Sequence, residues 1–189
     1  MIVHKQTPIR RLILTIGIVI STMAATSSAS LVKAANINFI SSDVITIEGS
    51  IELGDCARWT AAIRPGMKSV LLNSTGGLDG QGECISRSIA ALSLKTVVRQ
   101  RCNSICFLLF AAGIERSACQ GALVGVHRPY NVKTHEEGSD PEFLRVILEY
   151  ADRYRVPQAI KEKLSGTSSR NIYYLTKTDL DSMNVKDCG

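Results

Sequence analysis

Short apolar runs alternate with amphipathic segments along the chain after residue 40. The apolar runs predict strands of a buried sheet, at residues 44–47 (extended on to 53), 69–72, 96–99 and 122–126. The segments between them predict helices, at residues 56–63 with Asp55 as N-cap, 80–92, and 105–112 with Gly113 at the C′ position. A strand–turn–helix unit that recurs about every 25 to 30 residues predicts right-handed crossovers onto a largely parallel sheet, and so an α/β fold.

Beyond His127 the pattern changes. Residues 128–139 are polar and predict a loop, and an amphipathic helix follows at 141–154. Pro157 opens a second helix that runs to Leu164, residues 172–175 are predicted to be extended, and a short helix comes last. The apolar stripe of the 141–154 helix either covers the sheet or serves self-association.

The first 34 residues have the pattern of a secretory signal peptide. A basic stretch is followed by an apolar run from Leu12 to about Ala25, which is shorter than the roughly 20 apolar residues that span a bilayer. Small residues then offer cleavage positions near Ala29 and Ala34. We therefore expect residues 35–189 to form one exported domain, periplasmic or secreted. The alternative is an uncleaved anchor, which alone would bring the protein into contact with a membrane.

The positive charge of the chain belongs mostly to this leader. The whole sequence has 22 basic and 17 acidic residues, a net charge of +5. Four of the basic residues and no acidic residue lie in positions 1–34, which leaves 18 basic against 17 acidic beyond them. A nearly neutral domain gives no support for nucleic-acid binding.

Six cysteines lie beyond the leader, and in an oxidising compartment an even number predicts disulfides. Six cysteines allow 15 pairings, so the connectivity stays open. The alternative is a zinc site made by Cys102, Cys106, Cys119 and His127, which lacks a second closely spaced cysteine pair. Neither a metal nor another cofactor is expected.

Ser104 and His127 are the candidate nucleophile and base. Each follows a predicted strand, at the sheet edge where α/β proteins usually place their sites. Ser104 also opens a helix, whose free N–H groups stabilise developing negative charge, and a histidine can take the serine proton. Gly77, in a predicted sharp turn at 73–77, could supply one oxyanion donor and the Ile105 N–H a second. In the alternative, Ser104 is an ordinary N-cap and His127 a structural residue.

Three segments in this order resemble the exported Clp protease-like proteins: LLNSTGG at 71–77, CNSIC at 102–106 and GVHRP at 125–129. The resemblance covers roughly residues 44–185. It implies the Clp protease/crotonase-like superfamily, with a crotonase-like spiral of strand–turn–helix units. It also implies serine peptidase chemistry with Ser104 as nucleophile, His127 as base, and the Gly77 and Ile105 N–H groups as oxyanion donors.

For the third member of the triad, the sequence offers more than one candidate. Aligned on residues 173–176, the acid of the Clp triad falls at Asn171 or Ile172, and Asn171 could orient the imidazole as asparagine does in Cys-His-Asn enzymes. Asp179 is the alternative acid, although residues 176–179 also match a capping box. Lys133 is an alternative base, by analogy with the Ser–Lys pair of signal-peptide peptidases.

The sequence therefore predicts an exported serine hydrolase, a Clp-like peptidase that acts on a peptide or protein substrate. The alternative function is a catalytically inactive module of the same fold that binds a peptide or a partner protein. Self-association fits either function.

Overall fold

The computed structural model describes residues 33–131, 134, 136–137 and 141–188. Nearly all of the predicted leader and Lys133 lie outside the described residues. The strands are β1 Asn36–Phe39, β2 Val44–Ile51, β3 Ser69–Gly77, β4 Lys95–Asn103, β5 Arg116–Ala118, β6 Leu123–Val126, β7 Tyr173–Tyr174 and β8 Lys186–Asp187. The helices are α1 Asp55–Ala62, α2 Asp79–Ala91, α3 Ile105–Ala111, α4 Pro141–Arg153, α5 Gln158–Gly166 and α6 Lys177–Ser182.

The sheet is largely parallel, as predicted. Its main path runs β1-β2-β3-β4-β5-β8, with β6 paired to β4 and β7 paired to β6. The pairs β2–β3, β3–β4, β4–β5, β4–β6 and β5–β8 are parallel, whereas β1–β2 and β6–β7 are antiparallel. Helices connect the parallel strands, so each strand–turn–helix unit adds one layer of core.

The sheet divides at β4, and this division positions the candidate site. The first half of β4 pairs with β5, where Thr96 lies opposite Arg116. Its last residues pair instead with β6, where Asn103 lies opposite Gly125. The residues that follow these two strands, Ser104 and His127, therefore leave the sheet side by side at the same edge.

Helix α3 is the buried centre of the fold. Every residue of Ile105–Ala111 is buried, in agreement with the uninterrupted apolar sequence of this segment. Helix α4 packs against this core through Ile147 and Ala151, which are buried, so its apolar stripe is largely covered by its own chain. In the described residues, no helix has the length and hydropathy of a membrane span.

Two local predictions were wrong. The segment 73–77 is not a turn, because β3 continues to Gly77 and pairs with β2 and β4 on either side, with a register shift after Leu72. Asp55 is not an N-cap, because Gly54 occupies that position with φ 91°. The Asp55 carboxylate is buried and accepts hydrogen bonds from the Ala35 and Glu52 N–H groups instead.

Gly113 follows helix α3 as predicted, but the reason that this position requires glycine differs from the predicted one. A Cβ at this position would lie 2.2 Å from Thr96 Oγ1, so glycine is needed for close packing rather than for a left-handed backbone. The short strands β1, β5 and β8 have no strong pattern of their own and were not predicted. They form because neighbouring strands offer unpaired backbone groups.

Candidate active site

Ser104 lies in the turn between β4 and α3 with φ 55° and ψ −131°. A serine rarely adopts this backbone, which costs on the order of 1–3 kcal/mol and persists where the surrounding structure imposes it. The Ser104 N–H donates to the Gly125 carbonyl at 2.9 Å, which ties the turn to β6. Its hydroxyl makes no capping hydrogen bond to α3, so an ordinary N-cap role does not explain this serine.

Gly76 provides the close backbone approach that the glycine pair predicted. The pairing of Ser74 with Cys102 brings the end of β3 alongside the Ser104 turn. A Cβ at Gly76 would lie 2.6 Å from Ser104 Cβ and 2.7 Å from the Asn103 carbonyl oxygen. Only glycine fits between β3 and this turn, and its φ of 96° excludes other residues as well.

The two predicted oxyanion donors belong to segments that adjoin the Ser104 turn. The Gly76 N–H donates to Ser74 Oγ at 3.1 Å, which leaves the Gly77 N–H as the candidate donor from β3. Gly77 lines the cleft that contains Ser104. Ile105 is the first residue of α3, and the first N–H groups of a helix have no partner within it. The Ile105 amide therefore lies at the positive end of buried α3, directly after Ser104.

His127 follows β6 and lines the same cleft as Ser104. Its Nδ1 lies 2.8 Å from the Arg128 carbonyl oxygen. If Nδ1 carries the proton and donates it there, Nε2 keeps the lone pair that a general base requires. Among the described residues, no hydrogen bond joins His127 to Ser104. The two side chains share the cleft without a hydrogen bond between them in the described structure.

Neither candidate for the third member of a triad hydrogen-bonds to His127 in the described structure. The Asn171 side chain is exposed, and its backbone N–H donates to the Ser168 carbonyl at 2.9 Å. Asp179 forms the capping box of α6 with Thr176, as the sequence pattern predicted, and also accepts from the Tyr173 hydroxyl at 3.0 Å. Burial acts against ionisation of Asp179, but the hydrogen bonds from Thr176 and Tyr173 outweigh it and lower its pKa.

Asp79 is a site residue that the sequence analysis missed. It is the first residue of α2, two positions after Gly77, where an acidic residue passes for an ordinary helix start. In the structure it lines the cleft together with Ser104 and His127. Burial raises its pKa to about 7. An acid two positions after a Gly-Gly pair at a sheet edge is the signal that could have identified it.

The cleft has a volume of about 880 Å³ and is built from six parts of the chain. Its walls are formed by the end of β2, the β3–α2 connection, the Ser104 turn, the segment after β6, the first turn of α4 and the end of α5. A second cavity, of about 20 Å³, lies beside it. Four residues line both spaces: Asp79, Ser104, His127 and Pro129.

All six cysteines form disulfides: Cys56–Cys84, Cys102–Cys106 and Cys119–Cys188. The second of these brackets Ser104 and links the end of β4 to the first turn of α3. Disulfide sulfurs are not available as zinc ligands, so the zinc alternative is wrong. No group of three potential metal ligands occurs among the residues that the structure describes.

Comparison with known proteins supports the fold but not a close relationship. No protein-family model matches the sequence, and no curated protein does. Among solved structures, a mutant of the 1510-N membrane-bound stomatin-specific protease matches with a TM-score of 0.57 and 14% identity, over 76% of this chain and 78% of that one.

ClpP1 from Listeria monocytogenes matches with a TM-score of 0.55 and 16% identity, over 77% of this chain and 92% of that one. A point mutant of the same ClpP1 matches with a TM-score of 0.51 and 14% identity, over 76% and 90%. These identities are too low to carry an activity across, but the alignments cover most of each chain. The chain therefore has the fold of the Clp protease superfamily, as its three motifs predicted.

Proposed function

We propose that this protein is an exported serine hydrolase that cleaves peptides, with Ser104 as nucleophile and His127 as base. The observation that carries the proposal is the environment of Ser104. A serine in a strained backbone conformation, with a hydroxyl that caps no helix, faces a large cleft that it shares with a histidine. The Clp protease fold of the chain agrees with peptidase chemistry.

In the proposed reaction, Ser104 Oγ attacks the carbonyl carbon of a peptide bond and its proton passes to His127 Nε2. The carbonyl oxygen becomes an oxyanion, which the Gly77 and Ile105 N–H groups stabilise. The imidazolium then protonates the leaving amine as the C–N bond breaks. Attack of water on the acyl-serine, by the same proton transfers in turn, releases the acid.

The Arg128 carbonyl takes the orienting role in this mechanism, since it accepts from His127 Nδ1. A neutral carbonyl fixes the tautomer, but it stabilises the imidazolium less than a carboxylate does. We therefore expect a slower enzyme than one with a Ser-His-Asp triad. Asn171 remains a proposed second orienting group, which would require movement of its exposed side chain toward His127.

Covalent labelling by a fluorophosphonate tests the proposal. We expect Ser104→Ala to abolish labelling, and His127→Ala to slow it by at least about 100-fold, because general-base catalysis contributes about 10²–10⁴. Ser182→Ala, an exposed serine on α6, is the matched control and should react like the wild type. A folded wild-type protein that does not label, or labelling that survives Ser104→Ala, would contradict the proposal.

The absence of a Ser104–His127 hydrogen bond among the described residues supports a second candidate, an inactive module that binds a peptide or a partner protein in the cleft. This module would bind peptides with no labelling at Ser104. Mass spectrometry of unlabelled peptides incubated with the protein separates the two functions, because only the hydrolase produces fragments.

Export is part of the same proposal. The basic and apolar pattern of residues 1–34 and the three disulfides support a periplasmic or secreted protein. Its partners are then peptides or proteins of that compartment. Self-association is also proposed. Because the apolar stripe of α4 is largely covered by the rest of the chain, the contact would use other side chains that remain exposed.

A further inference from the structure

The carboxylate of Asp79 has no hydrogen bond and no ion pair within the part of the chain that the structure describes. Asp79 is half-buried, and carboxylates that lose part of their contact with water are normally paired. Asp79 is also one of the four residues that line both the cleft and the small cavity, together with Ser104 and His127. An unpaired acid therefore lies beside the candidate nucleophile.

The other charged groups of the cleft do not neutralise Asp79. Glu52 and Glu136 line the cleft with it and carry the same sign of charge. Arg128 is the one Lys or Arg lining the cleft among the described residues, and it lies 3.9 Å from Glu137 and donates to the Gly166 carbonyl. The Ser168 and Ser169 side chains lower the pKa of Glu137 to about 2, so this partner of Arg128 stays ionised.

Apolar side chains line the cleft next to these acids: Leu78, Pro129, Phe143 and Leu144. A cleft with apolar walls and an unpaired carboxylate suits a side chain with a long apolar stem and a cationic end. Lysine and arginine have this chemistry, since their methylene stems pack on apolar surface while the charged group seeks a partner.

We propose that Asp79 determines specificity, and that it binds a lysine or arginine side chain of the peptide near the bond that Ser104 attacks. This inference rests on the proposed function, because it assigns the substrate class of the same site. The incoming cation supplies the partner that the Asp79 carboxylate lacks in the free protein. The acidic residues Glu52 and Glu136, which line the same cleft, add to the attraction.

Two labelled hexapeptides test this inference by fluorescence anisotropy. They consist of alanine, glycine and serine around one central residue, which is lysine in one and norleucine in the other. Norleucine keeps the four-carbon stem and lacks the ammonium group. Binding is measured to the full chain carrying Ser104→Ala at pH 8.5, which lies above the pKa of about 7 for Asp79, so that its carboxyl group is ionised.

We expect the lysine peptide to bind about tenfold more tightly than the norleucine peptide, a ratio that corresponds to about 1.4 kcal/mol. Adding Asp79→Asn should reduce the ratio to about one. Adding Asp181→Asn, which removes the same charge from the exposed surface of α6, should leave it unchanged. Thermal unfolding of each variant checks that the fold is intact.

Equal affinity for the two peptides, no measurable binding of the lysine peptide, or a preference that survives Asp79→Asn overturns the inference. Peptide binding and fluorophosphonate labelling together distinguish a failure of this inference from a failure of the proposed function. A lysine preference that depends on Asp79 in a protein that a fluorophosphonate never labels leaves Asp79 as a binding residue in an inactive module. Fluorophosphonate labelling of Ser104 without a preference for the lysine peptide would support the hydrolase and refute the role of Asp79 in specificity.

Discussion

Ser104 and Asp79 each adopt a state that is unfavourable for an isolated residue. Ser104 has a positive φ, and Asp79 has a largely desolvated carboxyl group without a protein partner. Both residues line one cleft, and unfavourable states of this kind are concentrated at functional sites because binding or catalysis uses them. Stability and function therefore oppose each other at these two positions, and a substitution can separate them.

Asp79→Asn should stabilise the protein at high pH. Burial raises the pKa of Asp79 from 3.8 to about 7, so the unfolded chain releases this proton at a lower pH than the folded chain. Stability is therefore lost as the pH rises from about 4 to 7, and asparagine avoids this loss because it stays neutral. We expect a gain of about 1–4 kcal/mol at pH 8.5 and a much smaller one at pH 4.5.

Urea denaturation of the wild type and of Asp79→Asn at the two pH values measures this difference. A gain of equal size at both pH values would show that the effect is not electrostatic. A loss of stability at pH 8.5 would contradict the burial of an unpaired carboxylate.

At the scale of elements, the end of β3 and the β4–α3 turn fit together through glycine. Gly76 packs against Ser104, while a Cβ at Gly77 would lie 2.1 Å from the Ile51 carbonyl oxygen of β2. The adjacent disulfide Cys102–Cys106 ties β4 to α3 on either side of Ser104. The turn is thus held by β3, by β6 and by a covalent link, which explains how an unfavourable φ persists there.

Gly76→Ala should therefore disrupt this contact. We expect it to lower the free energy of unfolding by about 2–4 kcal/mol, from overpacking together with a positive φ that alanine disfavours. It should also slow fluorophosphonate labelling, because the added methyl group displaces Ser104. Chemical denaturation and the labelling rate are the two measurements.

Gly80→Ala is the matched control, four positions along the chain. It lies in the first turn of α2 with nothing within 4 Å of its Cβ position, so alanine should change stability by no more than about 1 kcal/mol. Similar losses in both variants would mean that the contact between Gly76 and Ser104 has no special role.

At the scale of the whole molecule, the division of the sheet at β4 brings together strands that are distant in sequence. One half of β4 leads to β5 and β8 and the other to β6 and β7, so two branches of the sheet meet at the strand that ends before Ser104. The Cys119–Cys188 disulfide links the end of β5 to the end of β8, across 69 residues. The fold is thus closed covalently at its C-terminal end.

Because disulfides form in an oxidising compartment, we expect the stability of the protein to depend on the compartment in which it folds. Full-length protein expressed in a bacterium should appear in the periplasm, shortened to a start near residue 30 or 35 and without free thiols. A chain that begins at residue 35 and stays in the reducing cytosol should carry free thiols and lose about 2–5 kcal/mol of stability. Intact mass, thiol titration and chemical denaturation measure the three properties. An unprocessed protein in the membrane fraction would instead indicate the uncleaved anchor.

Local sequence pattern was sufficient for the elements with strong periodicity and for the order of the three motifs. The central strands, all six helices and the capping box of α6 follow from hydrophobic period and turn chemistry, which act over a few residues. The same local information placed Ser104 and His127 at the ends of strands. It also predicted that glycine near residues 76–77 permits a close approach.

Tertiary structure alone decided which residues meet. Pairing of β4 with β6 determines that Ser104 lies beside His127, and the Arg128 carbonyl rather than Asn171 receives the imidazole Nδ1. The disulfide pairing and the short strands β1, β5 and β8 depend on neighbours far away in sequence. The burial of Asp79 is likewise a property of the folded cleft. Such contacts carry no local periodic signal, because their free energy comes from groups that only the folded chain brings together.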